Sequence, residues 1–155
     1  MLRSPEIGSR FMNMLHFFNA EANSLDPIHR RVTVLMLARL REAHYAWWAH
    51  SRFARKQGIP EATIQAINRG EKPKDLSPDL SAVFDFVAES MRPAGASDAA
   101  LSQLRSHLSD RQIVELTLLC GTYNTVAMLL QLGGIEQPEG EEHGMVKLSA
   151  PPFSS

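Results

Sequence analysis

The run from Ile113 to Leu132 limits what this chain can fold into more than any other stretch. It carries one formal charge, Glu115, and stops at Gly133-Gly134. Just ahead of it, Ser109-Asp110-Arg111-Gln112 has the S-x-x-Q spacing of a capping box, in which a serine and a glutamine side chain satisfy free backbone N–H groups at a helix start. The helix so opened is apolar on more than one face. It is long enough to span a bilayer, but Glu115, Thr117, Gly121, Thr122, Asn124 and Thr125 interrupt it, and a buried helix is the expectation. A domain of this size has too little interior to cover every face, so part of the helix calls for a second subunit.

The other segments read the same way. Apolar residues at helical spacing (Ile7, Phe11, Met14, Leu15, Phe18) predict a helix from about Glu6 to Ala22. Asp26-Pro27 opens a second helix, because aspartate caps free N–H groups and proline at the first helical position gives up a donor that had no partner. That helix is apolar nearly all round to Leu40 and belongs at the centre. Neither glycine nor proline says whether it breaks at Arg41-Glu42. A helix ending at Gly58 follows, then a short one from Pro60-Glu61 to about Asn68, one from Ser77-Pro78 closed by Pro93 and Gly95, and one from Ser97-Asp98 to about Leu108. No bounded run alternates apolar and polar residues. The prediction is an all-α single domain of six or seven helices, with residues 1–24 as an N-terminal helix, 25–136 as the helical domain, and 137–155, rich in Pro, Gly, Ser and acid, as a flexible tail.

Charge narrows the partners. With 16 Lys+Arg against 17 Asp+Glu the chain is near neutral, which argues against nucleic acid as a partner. Seven basic residues (Arg30, Arg31, Arg39, Arg41, Arg52, Arg55, Lys56) nonetheless stand between Pro27 and Pro60 against one acid, Glu42. Most such residues are a solvated helix face; as a group they could also draw in a carboxylate-bearing substrate or an acidic partner surface. The single cysteine, Cys120, and an N-terminus without an apolar leader region fit a cytoplasmic protein, with no membrane partner expected.

Within this basic stretch, His44-Tyr-Ala-Trp-Trp-Ala-His50 gathers both tryptophans, a tyrosine and two of six histidines. An imidazole held against aromatic rings is a candidate proton-transfer group, and an apolar wall would bring its pKa down toward a value suited to neutral pH. The plainer reading is a core aromatic cluster with a hydrogen-bonded histidine. His44 and His50 sit six apart on different helical faces with no acid between them, so no metal site is expected.

Three segments carry a resemblance to a known family: Tyr45-Ala-Trp47 leading to His50 and on to Gly58; Gly58-Ile-Pro-Glu-Ala-Thr-Ile64; and Arg111 to Val126, with Glu115, Gly121, Tyr123 and Asn124. Their order and spacing resemble the carboxymuconolactone decarboxylase family, which includes the alkyl hydroperoxidase D group, and imply an alkyl hydroperoxidase D-like helical bundle. The family's redox members carry C-x-x-C with a histidine four residues on and a glutamate on the preceding helix. In this chain those positions fall on Ala43, Ala46, His50 and Arg31, so the resemblance is to the non-redox branch and no thiol-dependent peroxidase activity is expected. What it implies instead is cofactor-free lyase, decarboxylase or isomerase chemistry on a small cyclic carboxylate or lactone. His50 would give the proton, Tyr45, Trp47, Tyr123 and Asn124 would line the substrate site, and Arg31 and Glu115 would support it. Homotrimers or homohexamers are implied as well. The competing reading is an oligomeric binding or scaffold protein of the same fold, with His50 structural.

Overall fold

A computed structural model describes residues 4–19, 23–138, 140 and 144–154. Among them the secondary structure is helical throughout: α1 (Pro5–Asn19), α2 (Pro27–Leu40), α3 (His44–Lys56), α4 (Glu61–Asn68), α5 (Pro78–Ser90), α6 (Asp98–Arg105) and α7 (Asp110–Leu132). The all-α reading holds, and most boundaries fall where local chemistry put them. The Asp26 side chain accepts from the Ile28 N–H, Ser97 accepts from Ala100, and both halves of the Ser109–Gln112 capping box are formed. One end differs. The sixth helix stops at Arg105, where the Ser106 and His107 N–H groups turn back to Gln103 and Leu104. The first is described as far as Asn19, and positions 20 to 22 of the expected helix lie outside the described residues.

The chain does break between α2 and α3. Glu42 takes a left-handed conformation (φ 48°) and the Ala43 N–H reaches the Ala38 carbonyl at 2.9 Å, which closes α2 and lays α3 back against it. The left-handed geometry costs a non-glycine residue on the order of 1 kcal/mol, repaid here by packing on both sides of the turn.

α2 is the central helix. Val32, Leu35, Met36 and Leu37 are buried, and α3, α4, α5 and α7 all pack on it. Near its start, His29 meets Asp79 of α5 at 2.7 Å. Asp79 is held down to about 2, chiefly by its hydrogen bond to Ser77 and with help from His29, against some desolvation. Glu115 works as a hook between α7 and the segment before α2, accepting from the Ser24 N–H (2.7 Å) and hydroxyl (2.8 Å) and from Arg111 (2.9 Å). Burial pushes its carboxyl up, and the bonds from Arg111 and Ser24 outweigh that and hold it below the usual range.

Residues 144–154, part of the stretch expected as a tail, lie against the helical body. Arg39 donates to the Val146 carbonyl (2.8 Å), Asn68 bridges Gly144 and Val146, and the Phe153 N–H donates to the Gly70 carbonyl (2.7 Å). The Phe153 ring is buried edge-on against Phe84, 5.2 Å away. Composition reads this stretch as solvated; one well-placed aromatic and a few backbone hydrogen bonds are enough to dock it.

Candidate functional site

Three of the residues singled out from the sequence converge although they come from three helices. Arg31 of α2 donates from one guanidinium arm to the Nδ1 of His50 on α3 (2.5 Å) and from its Nε to the Gln57 side-chain oxygen (2.9 Å). Its guanidinium carbon lies 5.3 Å from the centre of the Phe53 ring. Tyr123 of α7 stands edge-on to His50, ring centres 5.3 Å apart. His50, Phe53 and Gln57 share one face of α3 because they are three and seven residues apart. That spacing was visible in the sequence and marks Phe53 and Gln57 as residues the sequence reading missed.

These groups line a cleft of about 480 Å³ whose opposite wall is α1, through Met12, Leu15, His16 and Asn19. The N-terminal helix therefore belongs to the site rather than standing apart from it. Nothing in the residues of α1 announces this, since its amphipathic pattern fixes which face turns inward but not which partner it meets.

The charge distribution is unusual. Among the described residues no carboxylate pairs with Arg31; its partners are an imidazole and an amide. Burial lowers its pKa, Tyr123 opposes that, and neighbouring Arg30 adds to it, yet a guanidinium stays charged. Because it can only donate, the Nδ1 of His50 must accept, which fixes the ring proton on Nε2. The cleft leaves one edge of His50 open, but protein atoms crowd the ring, and burial together with the Arg31 charge brings its pKa down to about 3. The expected direction is right and the expected value near neutrality is not: a cation, not only an apolar wall, faces the ring. Near pH 7 His50 is a neutral hydrogen-bond donor. Burial raises the Tyr123 phenol, with Arg31 and Arg30 pulling the other way, so it too keeps its proton.

The remaining candidates lie elsewhere. Trp47 is 1% exposed and belongs to the core. Tyr45 sits on the outer face of α3 beside Trp48, ring centres 5.5 Å apart, where Arg52 stacks on the same tryptophan. Asn124 turns toward Met128, its side-chain oxygen buried without a hydrogen-bond partner, and Glu115 serves the hook described above. Helical geometry is the reason: consecutive aromatic residues are dense in sequence and diverge around the helix. Most of the basic stretch is likewise accounted for on the surface, as with Arg55 on Glu61 at 2.8 Å. No group of three or more potential metal ligands occurs among the described residues.

A protein of unknown function from Agrobacterium tumefaciens, described as a candidate antioxidant defence protein AhpD, superposes with a TM-score of 0.78 over 88% of this chain and 93% of its own, at 22% identity. The chain has the AhpD-like fold. An uncharacterized peroxidase-related protein from Silicibacter sp. TM1040 gives a TM-score of 0.73 at 20% identity, over 88% of this chain and 72% of its own. No family model and no curated protein matches the sequence. On the AhpD-like fold, the two positions to which the resemblance assigns a cysteine pair are Ala43 and Ala46, both buried beside the core. The one thiol, Cys120, is buried on α7 and pushed up to about 12 by that burial, far from the range of a reactive thiolate.

Proposed function

We propose that the cleft binds a small cyclic carboxylate or lactone and decarboxylates or isomerises it without a cofactor. The observation that carries this reading is Arg31, a partly buried cation that faces the cleft with no acid among the described residues to balance it. An organic anion with an apolar body is its natural complement: the acid group meets Arg31, and Leu15, Phe53 and Val126 receive the ring.

In the decarboxylation, the bond to the carboxylate breaks and its electron pair moves into the lactone carbonyl as CO2 leaves. The Nε2–H of His50 is the donor for the oxygen where negative charge collects, while Arg31 holds the carboxylate until it leaves. Tyr123 then gives its phenolic proton to carbon; the tyrosinate left behind is stabilised by the charges of Arg31 and Arg30 until water restores its proton. His50 thus serves the oxyanion and Tyr123 the proton, whereas the resemblance implied His50 as the proton donor and Tyr123 as part of the substrate lining.

Self-association belongs to the same reading. Val114, Leu118, Met128 and Leu132 on α7 are each more than half exposed, lie on one side of the helix, and are the surface by which copies of the chain would pack. Sedimentation should show an oligomer at micromolar concentration that Leu118→Glu weakens; a wild-type monomer would refute the contact.

The test of the chemistry is turnover of lactone acids and cyclic keto acids with no added cofactor. Tyr123→Phe should lower turnover by on the order of a hundredfold, the usual scale for a general acid. Binding without turnover by the wild type would favour the scaffold reading. The names of the structural neighbours call for a parallel assay of hydroperoxide reduction with a dithiol, which should show no turnover that depends on Cys120.

A further inference from the structure

Behind the Arg31 and Tyr123 wall lies a second, smaller cavity of about 100 Å³. Its polar lining comes from Asn19 at the end of α1, Arg30 and Arg31 on α2, Gln57 at the end of α3, and Tyr123 on α7. Arg30 and Arg31 are consecutive, like-charged, and without a paired carboxylate among the described residues. Arg30 gives one N–H to the Phe18 carbonyl, which anchors the end of α1, but its Nε is buried and has no hydrogen-bond partner. Two cations around one cavity, with no carboxylate from the described residues to balance them, are costly unless an anion fills it.

We propose that this cavity binds a compact, doubly charged tetrahedral oxyanion of the phosphate class. A planar carboxylate brings one charge and pairs edge-on with a single guanidinium, leaving the other unbalanced. A tetrahedral dianion offsets both charges and turns oxygens toward donors that approach from the ends of α1 and α3 as well as from α2. The proposal goes beyond the chemistry of the cleft and does not depend on it. Because the two cavities share Asn19, Arg31 and Tyr123, the oxyanion is either the free ion or the head group of a monoester whose organic part reaches into the cleft.

Calorimetric titration of the full chain separates these. Inorganic phosphate should bind, and acetate should bind at least roughly tenfold more weakly. Arg30→Gln should weaken phosphate by roughly tenfold or more, the scale of one charge-assisted hydrogen bond. Should Arg30→Gln unfold by loosening α1, Gln57→Glu decides: at an exposed position it sets a carboxylate beside Arg31 and should abolish phosphate binding. Phenyl phosphate binding more tightly than phosphate identifies a monoester head group, and equal binding identifies the free ion. The site is disproved if phosphate does not titrate the wild type, if acetate binds as well, or if the folded variants bind phosphate like the wild type.

Discussion

Arg31 and Arg39 stand about two turns apart on the same helix, and burial lowers the pKa of both. Their surroundings differ in one respect. Arg39, 2% exposed, is roofed by the C-terminal segment: it donates to the Val146 carbonyl at 2.8 Å, and Glu42 offsets its charge from 3.8 Å. Arg31 is roofed by nothing of its own length; α1 stands across an open cleft from it, and its partners are neutral. A buried arginine is therefore no mark of function in this fold. What separates an anchor from a binding group is whether the chain itself supplies the acceptors and the cover.

Exchanging the two roles is the strongest way to break that contrast. Arg31→Ala should lower turnover of an identified lactone acid by a hundredfold or more, on the order of 3 kcal/mol in transition-state stabilisation, while changing folding stability by less than about 1 kcal/mol, because it also removes an unpaired charge beside Arg30. Arg39→Ala should do the opposite, costing about 3 kcal/mol in urea unfolding through a lost hydrogen bond and a cavity, with affinity for cleft ligands kept. Loss of ligand binding in Arg39→Ala at unchanged stability would show the contrast to be wrong.

A smaller effect is expected at the roof. Phe153→Ala removes the buried ring that packs on Phe84 and should cost about 2 to 3 kcal/mol. If the segment covers Arg39 as a unit, hydrogen exchange at the Val146 amide, which donates to Asn68, should speed up in that variant while amides of α3 stay protected. Equal protection at Val146 would mean the cover holds without its aromatic anchor.

The gentlest test is pH. The His50 imidazole titrates near 6.5 when unfolded and at about 3 in the folded chain. Between those values the unfolded state holds more protons, so stability is at its full value above pH 6.5 and falls as pH drops toward 3, with a limiting slope of about 1.4 kcal/mol per pH unit. Asp79, whose folded value is about 2 against 3.8, adds a further loss only below about pH 4. His50→Gln should flatten the upper part of this curve in denaturation measured across pH. An unchanged curve would mean that burial and the Arg31 charge do not together hold the ring neutral as the geometry indicates.

The features legible in the residues were local ones. Asp26-Pro27, Gly58 and the Ser109–Gln112 box are recognised by chemistry within a few positions, and the structure has each of them at a helix end. The break at Glu42 was not legible because its left-handed turn uses neither glycine nor proline. His50, Arg31 and Tyr123 could be named individually, but their meeting depends on how α2, α3 and α7 pack. Tyr45 and Trp47 were named through the family resemblance, and helical rotation places the first on the surface and the second in the core.

Gly70 is where the C-terminal segment meets the body: at φ 71°, an added Cβ would lie 2.9 Å from the backbone of Pro152. Residue 70 thus holds a veto over a stretch of chain far from it. In a library that randomises both, many sequences should survive in the tail around a retained Phe153, whereas position 70 should accept almost no other residue, and its variants should share the phenotype of a chain cut short before the tail docks.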